Sequence, residues 1–523
     1  MTRLLRKAER THVITLFRQS RLHSTAAGNF FQYFRVMTGK THRPPIPDLH
    51  TNCGIHSTST EKANVLNTFF GKQSPNAMNK HSPDLSSLPT NSTHFSNLAT
   101  TPAEVIDAIK ALPKRKAAGP DGITNELLKM CAPGISACLA ALFNRSFTEG
   151  VLPSEWKEAV VVPVFKRGNR NQPTNYRPIA LLSAVNKVCE RVVYQKLYPF
   201  LTTYLSIKQS GFRKNDGAVL QLTRLVQQWS EALDSSRYIG VIFFDLKKAF
   251  DRVWHTGLIA KLCAAGVSGP ALAWLTNYLS NRTQRTKVEG AMSSKVTLHA
   301  GVPQGAILSP LLFNLYVNDL VSCSTADVNL FADDTSFFIE DRSPTSLAVR
   351  LQDAVDSLST WFDKWHLSVN VEKTALLVIR GRLQPLEISI KLNGEAIPQV
   401  RSHKHLGVTF SESLTWSNHV NDISEKAARR IGLLRRFKSR LPKLPILCAY
   451  TTFIRPPLEY ASVAWSGLSA KDSQQLERLQ RRAARVITGE SYRSDIPPEI
   501  LLARAGLPSL QSRRKIEQLV FWI

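Results

Sequence analysis

The chain has 523 residues, with 67 Lys and Arg against 40 Asp and Glu, a formal net charge of +27 and a pI near 10.0. This excess favours a polyanionic partner, because each phosphate that a basic side chain neutralises releases condensed counterions. The seven scattered cysteines form no CxxC pair, so neither a disulfide framework nor a zinc knuckle is indicated. We find no apolar span long enough to cross a bilayer.

The first hundred residues are predicted to form a basic helix and a polar linker. Nine Lys and Arg but only one acid, Glu9, precede residue 46. We favour a helix from about Arg3 to Arg21 that lies against nucleic acid over a mitochondrial transit peptide, and no apolar stretch of a secretory signal follows. Residues 41–101 are rich in Ser, Thr, Asn and Pro, so they indicate a linker with one short docking helix over 61–70.

Regular structure is expected to resume at Thr101, an N-cap residue followed by Pro102 at the first helical position and Glu104 at the third. Helices are predicted over 102–112, 125–130, 135–148, 186–205 and 217–233. Strands are predicted over 159–165, where Pro163 favours an edge position, and over 238–244. Helices and strands mix without strict alternation, which predicts an α+β fold.

Two predicted strands end in carboxylates. Asp245 closes one apolar strand, and Asp333 and Asp334 stand at the predicted tip of a hairpin between two others. Adjacent carboxylates repel one another unless a cation neutralises them. The pattern therefore predicts a Mg²⁺ site that can hold a nucleoside triphosphate, which is the chemistry of a polymerase palm.

A glycine-rich segment, residues 301–310, lies between these two acidic strand ends. Its glycines, Gly301 and Gly305, allow a ligand to approach the backbone closely. Ser309 is predicted to cap a helix that has Pro310 at its first position and runs to about Leu320.

These segments together resemble the reverse transcriptases of non-LTR (LINE-like) retrotransposons, in particular the jockey-like and CR1-like elements. The resemblance covers about residues 101–489. It rests on the ordered motifs Ala-Gly-Pro-Asp-Gly-Ile at 118–123, Tyr-Arg-Pro-Ile at 176–179, Gln-Ser-Gly-Phe-Arg at 209–213, the segments 245–251 and 301–310, Phe-Ala-Asp-Asp at 331–334, His-Leu-Gly-Val at 405–408 and Tyr-Ala-Ser-Val-Ala-Trp at 460–465.

The resemblance implies a right-hand polymerase. Residues 1–100 would be the basic helix and linker, 101–400 the fingers and palm, and 401–523 a helical thumb with a C-terminal extension. Two Mg²⁺ ions about 4 Å apart, with Mn²⁺ as an alternative, would be held by Asp245, Asp333 and the carbonyl of Leu246. Asp334 would support them close by.

The resemblance also assigns residues to the nucleotide. Phe250 would place its ring beneath the incoming sugar and favour deoxynucleotides, and the alternative is an ordinary core phenylalanine. Gln304 would lie near the nucleotide and template, and Gly305 would let the template backbone approach. Asp251 is expected to cap the helix that begins at Arg252.

Three basic residues are candidates for the triphosphate. Arg177 and Lys166 would clamp it, Arg177 with a fork of donors and Lys166 as a point charge. Lys373 would protonate the leaving pyrophosphate as a general acid. For both lysines the alternative is a solvated surface side chain.

A run of basic residues follows the palm, with no acid between Glu425 and Glu459. It is expected to grip the backbone of a nucleic-acid duplex, although such a run is also typical of a solvated helix face. Its candidate contacts are Arg429, Arg430, Arg435, Arg436, Lys438 and Arg440. A second basic helix is predicted over 476–487, with Gly489 just after its end.

The sequence therefore predicts an RNA-directed DNA polymerase whose partners are an RNA template, a DNA primer or target, and dNTPs, with no membrane. We recognise no endonuclease, RNase H-like segment or C-terminal Cys/His knuckle, and so expect a fragment or degraded copy of an element's reading frame. The resemblance implies that the chain is part of a ribonucleoprotein located in the nucleus and the cytoplasm. One alternative is an inactive nucleic-acid-binding remnant. The other is a group II intron-type maturase, and the motifs at 118–123 and 405–408 argue against it.

Overall fold

The computed structural model describes residues 44–72, 88, 90–438 and 441–522. The predicted helix over 3–21 and Arg440 lie outside these residues. The strands are, in chain order, β1 Leu49–Thr51, β2 Gly54–His56, β3 Glu158–Phe165, β4 Tyr176–Leu181, β5 Tyr238–Asp245, β6 Arg282–Val288, β7 Ala291–Met292, β8 Val296–Leu298, β9 Asp327–Phe331, β10 Asp334–Asp341, β11 Ala375–Ile379, β12 Lys391–Leu392, β13 Glu395–Ala396, β14 Ser402–His405 and β15 Val408–Ser411.

The helices are α1 Ser59–Gly71, α2 Pro102–Lys110, α3 Asn125–Glu149, α4 Ala184–Thr202, α5 Ala218–Asp234, α6 His255–Ala264, α7 Gly269–Leu279, α8 Ser309–Tyr316, α9 Pro344–Lys364, α10 Ser417–Arg436, α11 Lys443–Ala449, α12 Pro456–Glu459, α13 Ala470–Thr488, α14 Pro498–Ala505 and α15 Leu510–Trp522. The mixture confirms the α+β prediction. Thr101 and Glu104 form the predicted capping box of α2, and Gly489 ends α13 with φ +86°.

Part of the predicted linker is folded. Residues 44–72 form the hairpin β1–β2 and the helix α1, which confirms the docking helix but not the surrounding linker. Leu66 and Phe70 of α1 are buried in a small core that also contains Val161 and Tyr176. This segment is therefore attached to the five-stranded sheet described next.

The first sheet has the order β4-β3-β6-β7, with β8 paired to β6. The expectation that β3 is an edge strand is wrong, since β4 pairs with it on one side and β6 on the other. The pairing with β6 ends at Val161, two residues before Pro163. The proline is tolerated because it lies beyond that pairing, where its missing N–H breaks no ladder bond.

The second sheet is antiparallel and has the order β11-β5-β10-β9. Successive side chains of a strand point to opposite faces, so the apolar strands of this sheet supply two cores. Phe244 and Phe337 belong to one core, with helices α3, α4 and α6 to α9. Phe243 and Phe338 belong to the other, with α5 and the C-terminal helices. The sheet is thus buried on both faces.

The C-terminal helices join the second sheet through the hairpin β14–β15. The ring of His403 in β14 stacks on Phe243 of β5, with centroids 4.1 Å apart and planes 12° apart. Helices α10 and α13, which carry the basic runs, pack against each other and against this core.

Helix α3 differs from the sequence prediction in two respects. The segments 125–130 and 135–148 form one helix that continues through Pro133. By length and composition alone, this helix could cross a membrane, contrary to the expectation that no segment could. One side of α3, including Phe143 and Phe147, is buried in the larger core.

Candidate active site

The predicted acidic hairpin is present. Strands β9 and β10 are joined by the two residues Ala332 and Asp333, and Ala332 has φ +56°. In the neighbouring pair, Asp334 is opposite Asp245. Three acidic residues from two parts of the chain, Asp245, Asp333 and Asp334, therefore lie at the same end of the sheet, called the acidic edge below.

Their mutual repulsion contributes to the raised pKa of Asp334. Partial burial raises its pKa to about 6, and the negative charges of Asp333 and Asp245 add to the rise. A cluster that resists full ionisation would be stabilised by a cation. The donor set consists of hard oxygen ligands, which suits Mg²⁺.

The backbone around Asp245 is fixed by the segment that precedes β11. The Asp245 carbonyl accepts a hydrogen bond from the Asn370 amide at 2.8 Å, and the Lys247 amide donates to the Ser368 carbonyl at 2.7 Å. Neither bond uses the carbonyl of Leu246, which is predicted to bind the metal alongside the carboxylates. Leu246 itself is largely buried.

Within the described residues, no three His, Cys, Asp or Glu side chains converge closely enough to complete a metal site by themselves. The Nζ of Lys373 lies 3.4 Å from Asp245 Oδ2, with both side chains about half exposed. A cation thus already neighbours Asp245. Mg²⁺ commonly keeps waters and substrate oxygens as ligands, so a few carboxylates are sufficient to bind it.

The three predicted triphosphate residues gather on the same side. Burial lowers the pKa of Lys166, and the positive charges of Arg177, Lys373 and Arg167 lower it further. The carboxylate of Asp245 acts in the opposite direction. Lys166 and Arg177 come from the ends of β3 and β4, so the first sheet brings its cations to the acidic edge of the second.

Phe250 lies between two aromatic rings. It stacks on Phe313 of α8, with centroids 4.4 Å apart and planes 18° apart, and meets the exposed Phe212 edge-on at 6.3 Å. The side chain is only partly buried. Its position fits a ring that packs on one face while remaining accessible near the site.

The glycines of the 301–310 loop approach the protein's own backbone. Gly301 has φ +91°, and a Cβ there would lie 2.7 Å from the Asp251 carbonyl oxygen. Gly305 has φ +125°, and its Cβ would lie 2.8 Å from the Ala180 carbonyl oxygen. Both positions therefore require glycine because of intramolecular contacts.

Two predicted helix caps are wrong. Ser309 donates its hydroxyl to the Pro303 carbonyl at 2.8 Å and caps nothing, and α8 ends at Tyr316, before the expected Leu320. Asp251 lies inside the short 3₁₀ turn Ala249–Arg252, and the next helix begins at residue 255 without a side-chain cap. In the folded protein, each of these side chains bonds to another partner in place of the helix end.

Asp251 instead bonds to Gln304. Its Oδ1 accepts a hydrogen bond from Gln304 Nε2 at 2.8 Å. Burial raises the pKa of Asp251 to about 6, while this bond and the charge of Lys248 act to lower it. Gln304 is thus bonded to the residue that follows Phe250 in the chain.

Gln209 contacts the acidic hairpin, a role that its sequence motif does not predict. Its Oε1 accepts hydrogen bonds from the Gly211 amide at 2.8 Å and the Ala332 amide at 3.2 Å. Asn314 Nδ2 donates to the Gly211 carbonyl at 2.7 Å. The motif at 209–213 can be recognised in the sequence. The contact between Gln209 and Ala332 spans 123 residues, however, and no local pattern predicts it.

Glu190 was also missed. This fully buried residue of α4 accepts hydrogen bonds from the Ile307 amide at 2.6 Å and Tyr278 Oη at 3.2 Å. Burial raises its pKa, and the amide bonds partly offset this rise. Glu190 therefore anchors the 301–310 loop just before α8. In the sequence, Glu190 stands out only as an acidic residue within an apolar segment that is predicted to be helical.

The basic residues of α10 are exposed at its C-terminal half. Arg430 donates to the Phe453 carbonyl at 2.6 Å, and the Arg435 guanidinium lies over the Tyr492 ring at 5.1 Å. Lys438 donates to the Gly489 carbonyl at 2.8 Å. Arg429 pairs with Glu425 of its own helix. The surface is strongly positive, but several of its members also bind the protein itself.

Comparisons with known proteins show what this chain is similar to. Residues 164–410 match the family described as reverse transcriptase (RNA-dependent DNA polymerase). Three curated proteins of Drosophila melanogaster are similar: a probable RNA-directed DNA polymerase from transposon BS (31% identical over 406 residues), the RNA-directed DNA polymerase from mobile element jockey (30% over 412) and a probable one from transposon X-element (31% over 405).

These alignments cover 74% or 75% of this chain and 44% of each relative. The chain thus spans less than half the length of the curated relatives that it matches. Among solved structures, apo telomerase from Candida tropicalis is similar at 14% identity over 73% of this chain and 65% of that one, with a TM-score of 0.40.

Proposed function

Since the chain contains a reverse transcriptase domain and is related to the polymerases of jockey-like non-LTR retrotransposons, we propose that it is an RNA-directed DNA polymerase. It would transfer a nucleotidyl group from a dNTP to the 3′-hydroxyl of a primer. The second sheet is the palm of this domain, and the first sheet belongs to the fingers.

The observation that supports this proposal best is the meeting of Asp245, Asp333 and Asp334 at one edge of the palm. Asp245 and Asp333 with the Leu246 carbonyl would hold Mg²⁺, and Asp334 would support them. When bound, the metal supplies Lewis acidity to the primer hydroxyl and the triphosphate. The residues themselves orient these groups and concentrate negative charge where cations are needed.

The basic cluster at the end of the fingers would bind the triphosphate. Arg177 and Lys166 face the acidic edge from the first sheet, and Lys373 does so from beside β11. The ammonium of Lys373 is close enough to Asp245 to reach a phosphate held beside it. It would donate a proton to the leaving pyrophosphate, since a positioned acid lowers the barrier to departure.

Phe250 and Gln304 would contact the nucleotide. The ring of Phe250, fixed by Phe313, would exclude a 2′-hydroxyl and so favour deoxynucleotides. Gln304, fixed by Asp251, would lie between the nucleotide and the template. The cations of α10 would hold the duplex of template and primer.

The test is primer extension on an RNA template with dNTPs and Mg²⁺. We expect extension by the purified chain and its loss in Asp333→Ala/Asp334→Ala. The control Asp353→Ala/Asp356→Ala removes two acids of α9 instead, and it should extend primers as the unaltered chain does. The melting temperature of each variant shows whether it is folded.

Absence of extension by the folded, unaltered chain would contradict the proposal and favour an inactive nucleic-acid-binding protein. Extension that survives the Asp333→Ala/Asp334→Ala change would refute the assignment of the acidic hairpin. A parallel reaction with NTPs shows whether the product is DNA.

A further inference from the structure

The turn that carries Phe250 and the loop that carries Gln304 are held together at several points. The Val302 amide donates to the Phe250 carbonyl at 2.8 Å. At Gly301 the loop backbone approaches the Asp251 carbonyl so closely that a side chain has no room. The bond from Gln304 to Asp251 is the only one of these contacts in which both groups are side chains. The protonation of Asp251 and the orientation of the Gln304 amide can therefore change while the backbone stays in place.

The surroundings of Asp251 make this bond strong. Asp251, Gln304, His255 and Arg282 line a cavity of about 50 Å³, enough for one or two waters. One guanidinium nitrogen of Arg282 is buried there without a hydrogen-bond partner among the described residues. The carboxylate thus faces a poorly hydrated space, where a hydrogen bond to a charged acceptor is worth more than in water.

An ionised carboxylate can only accept hydrogen bonds, whereas a side-chain amide has one donating and one accepting end. While Asp251 is ionised, Gln304 must direct its NH₂ group to it and present Oε1 elsewhere. A protonated Asp251 can donate to Oε1, so the amide is free to turn and present its NH₂ group. The charge of Asp251 therefore decides which end of Gln304 is available.

Titratable and charged groups lie around Asp251 on several elements. On the same turn, the positive charge of Lys248 favours the ionised carboxylate. From α6, His255 lies on the cavity wall, and burial lowers its pKa, so it is neutral near pH 7. From β6, Arg282 supplies a positive charge to the same cavity. The side chains that β3 and β4 contribute to the wall are apolar.

We propose that Asp251 is a specificity-determining positioning residue: it fixes the orientation of Gln304 against the turn of Phe250 and thereby sets the preference for deoxyribonucleotides over ribonucleotides. This inference rests on the proposed polymerase function. Because burial raises the pKa of Asp251 to about 6, the preference changes with pH in a range that an enzyme assay can reach.

The experiment measures kcat/KM for a dNTP and for the matching NTP, and takes their ratio, from pH 5.5 to 8. The unaltered chain is compared with Asp251→Asn, Asp251→Ala and Phe250→Val. Protonation of Asp334 also occurs near pH 6, but it changes both rates alike and cancels in the ratio. The melting temperature of each variant is recorded at each pH.

For the unaltered chain, the ratio should fall about fivefold as the pH falls from 7.5 to 5.5, since a charge-assisted bond is replaced by a neutral one. Asp251→Asn imitates the protonated acid and should show the low ratio at every pH. Asp251→Ala should do the same or lower it further. Phe250→Val should lower the ratio most, because it removes the ring that would exclude a 2′-hydroxyl.

A ratio that stays constant with pH in the unaltered chain and equals that of Asp251→Asn would overturn the inference, even if Asp251→Ala fails to fold. An unchanged ratio in Phe250→Val would overturn it as well. An inactive unaltered chain would instead reject the polymerase function itself, and the inference with it.

Discussion

At the scale of single residues, strand β10 holds two carboxylates whose pKa values are shifted in opposite directions. Strand β10 begins with Asp334 and ends with Asp341. The pKa of Asp334 is raised to about 6 by partial burial and by Asp333 and Asp245. The pKa of Asp341 is lowered to about 2, first by the Ser343 amide and then by the Ser346 hydroxyl.

A raised carboxyl pKa means that the folded chain binds the proton more tightly than the unfolded chain does. Stability is then lost as the pH rises from about 4 to about 6, and the ionised Asp334 is destabilising at neutral pH. Without metal at pH 7.5, Asp334→Asn should therefore raise stability by roughly 1 kcal/mol, a modest amount because solvent screens the group. Thermal unfolding measures this change.

Asp341→Asn is the matched control on the same strand, and it should lower the melting temperature at pH 7.5. The advantage of Asp334→Asn should shrink toward pH 4.5 and also when Mg²⁺ is added. If Asp334→Asn melts below the unaltered chain in the absence of metal, repulsion does not govern this edge.

At the scale of elements, the position of the β9–β10 hairpin depends on the segment 208–211. The Ser210 amide donates to the Leu330 carbonyl at 2.9 Å, and Gln209 bonds to the turn itself. A Cβ on Gly211 would lie 2.5 Å from the Ala332 nitrogen, which is backbone and cannot move aside. The acidic hairpin is therefore positioned from outside its own sheet.

Gly211→Ala should displace the hairpin and reduce primer extension by about 100-fold, the effect expected when reacting groups shift by about 1 Å. Gly217→Ala is the control, because that glycine has an extended φ of 175° and open space around its Cβ position. Steady-state extension rates and circular dichroism of both variants are compared. Wild-type activity in a folded Gly211→Ala would show that the segment does not position the hairpin.

At the scale of the whole molecule, the cations that make up the net charge of +27 are neutralised by neighbouring acids to different extents. Many exposed cations have acidic partners, as in the pairs Lys110–Asp107 on α2 and Arg145–Glu149 on α3. The end of α10 has Arg435 and Arg436 side by side, in a stretch without acids. Phosphate contacts are expected where cations are not balanced by neighbouring carboxylates.

Arg435→Ala/Arg436→Ala should therefore weaken binding of an RNA–DNA duplex and reduce the slope of log K against log salt by about 2, since each phosphate contact contributes close to one unit. Fluorescence anisotropy over a salt series gives the slope. Lys110→Ala/Arg145→Ala removes as many exposed charges and should leave it unchanged. Equal slopes for both double variants would show that net charge alone controls binding.

The sequence by itself determined the local structure and the chemistry of this protein. Short apolar and β-branched runs predicted strands, Thr101 and Gly489 marked helix ends, and the positions of Asp245 and Asp333 indicated the acidic edge. These features could be predicted because backbone preference and burial periodicity act over a few residues.

Only the tertiary structure decided the partners of individual side chains. Asp251 and Ser309 were predicted as caps because nearby backbone amides are the local option, but the fold offered them Gln304 and the Pro303 carbonyl. Gln209 gained its role from a turn 123 residues away. Such contacts depend on how whole elements pack, and sequence periodicity carries no information on which distant groups that packing brings within hydrogen-bond distance.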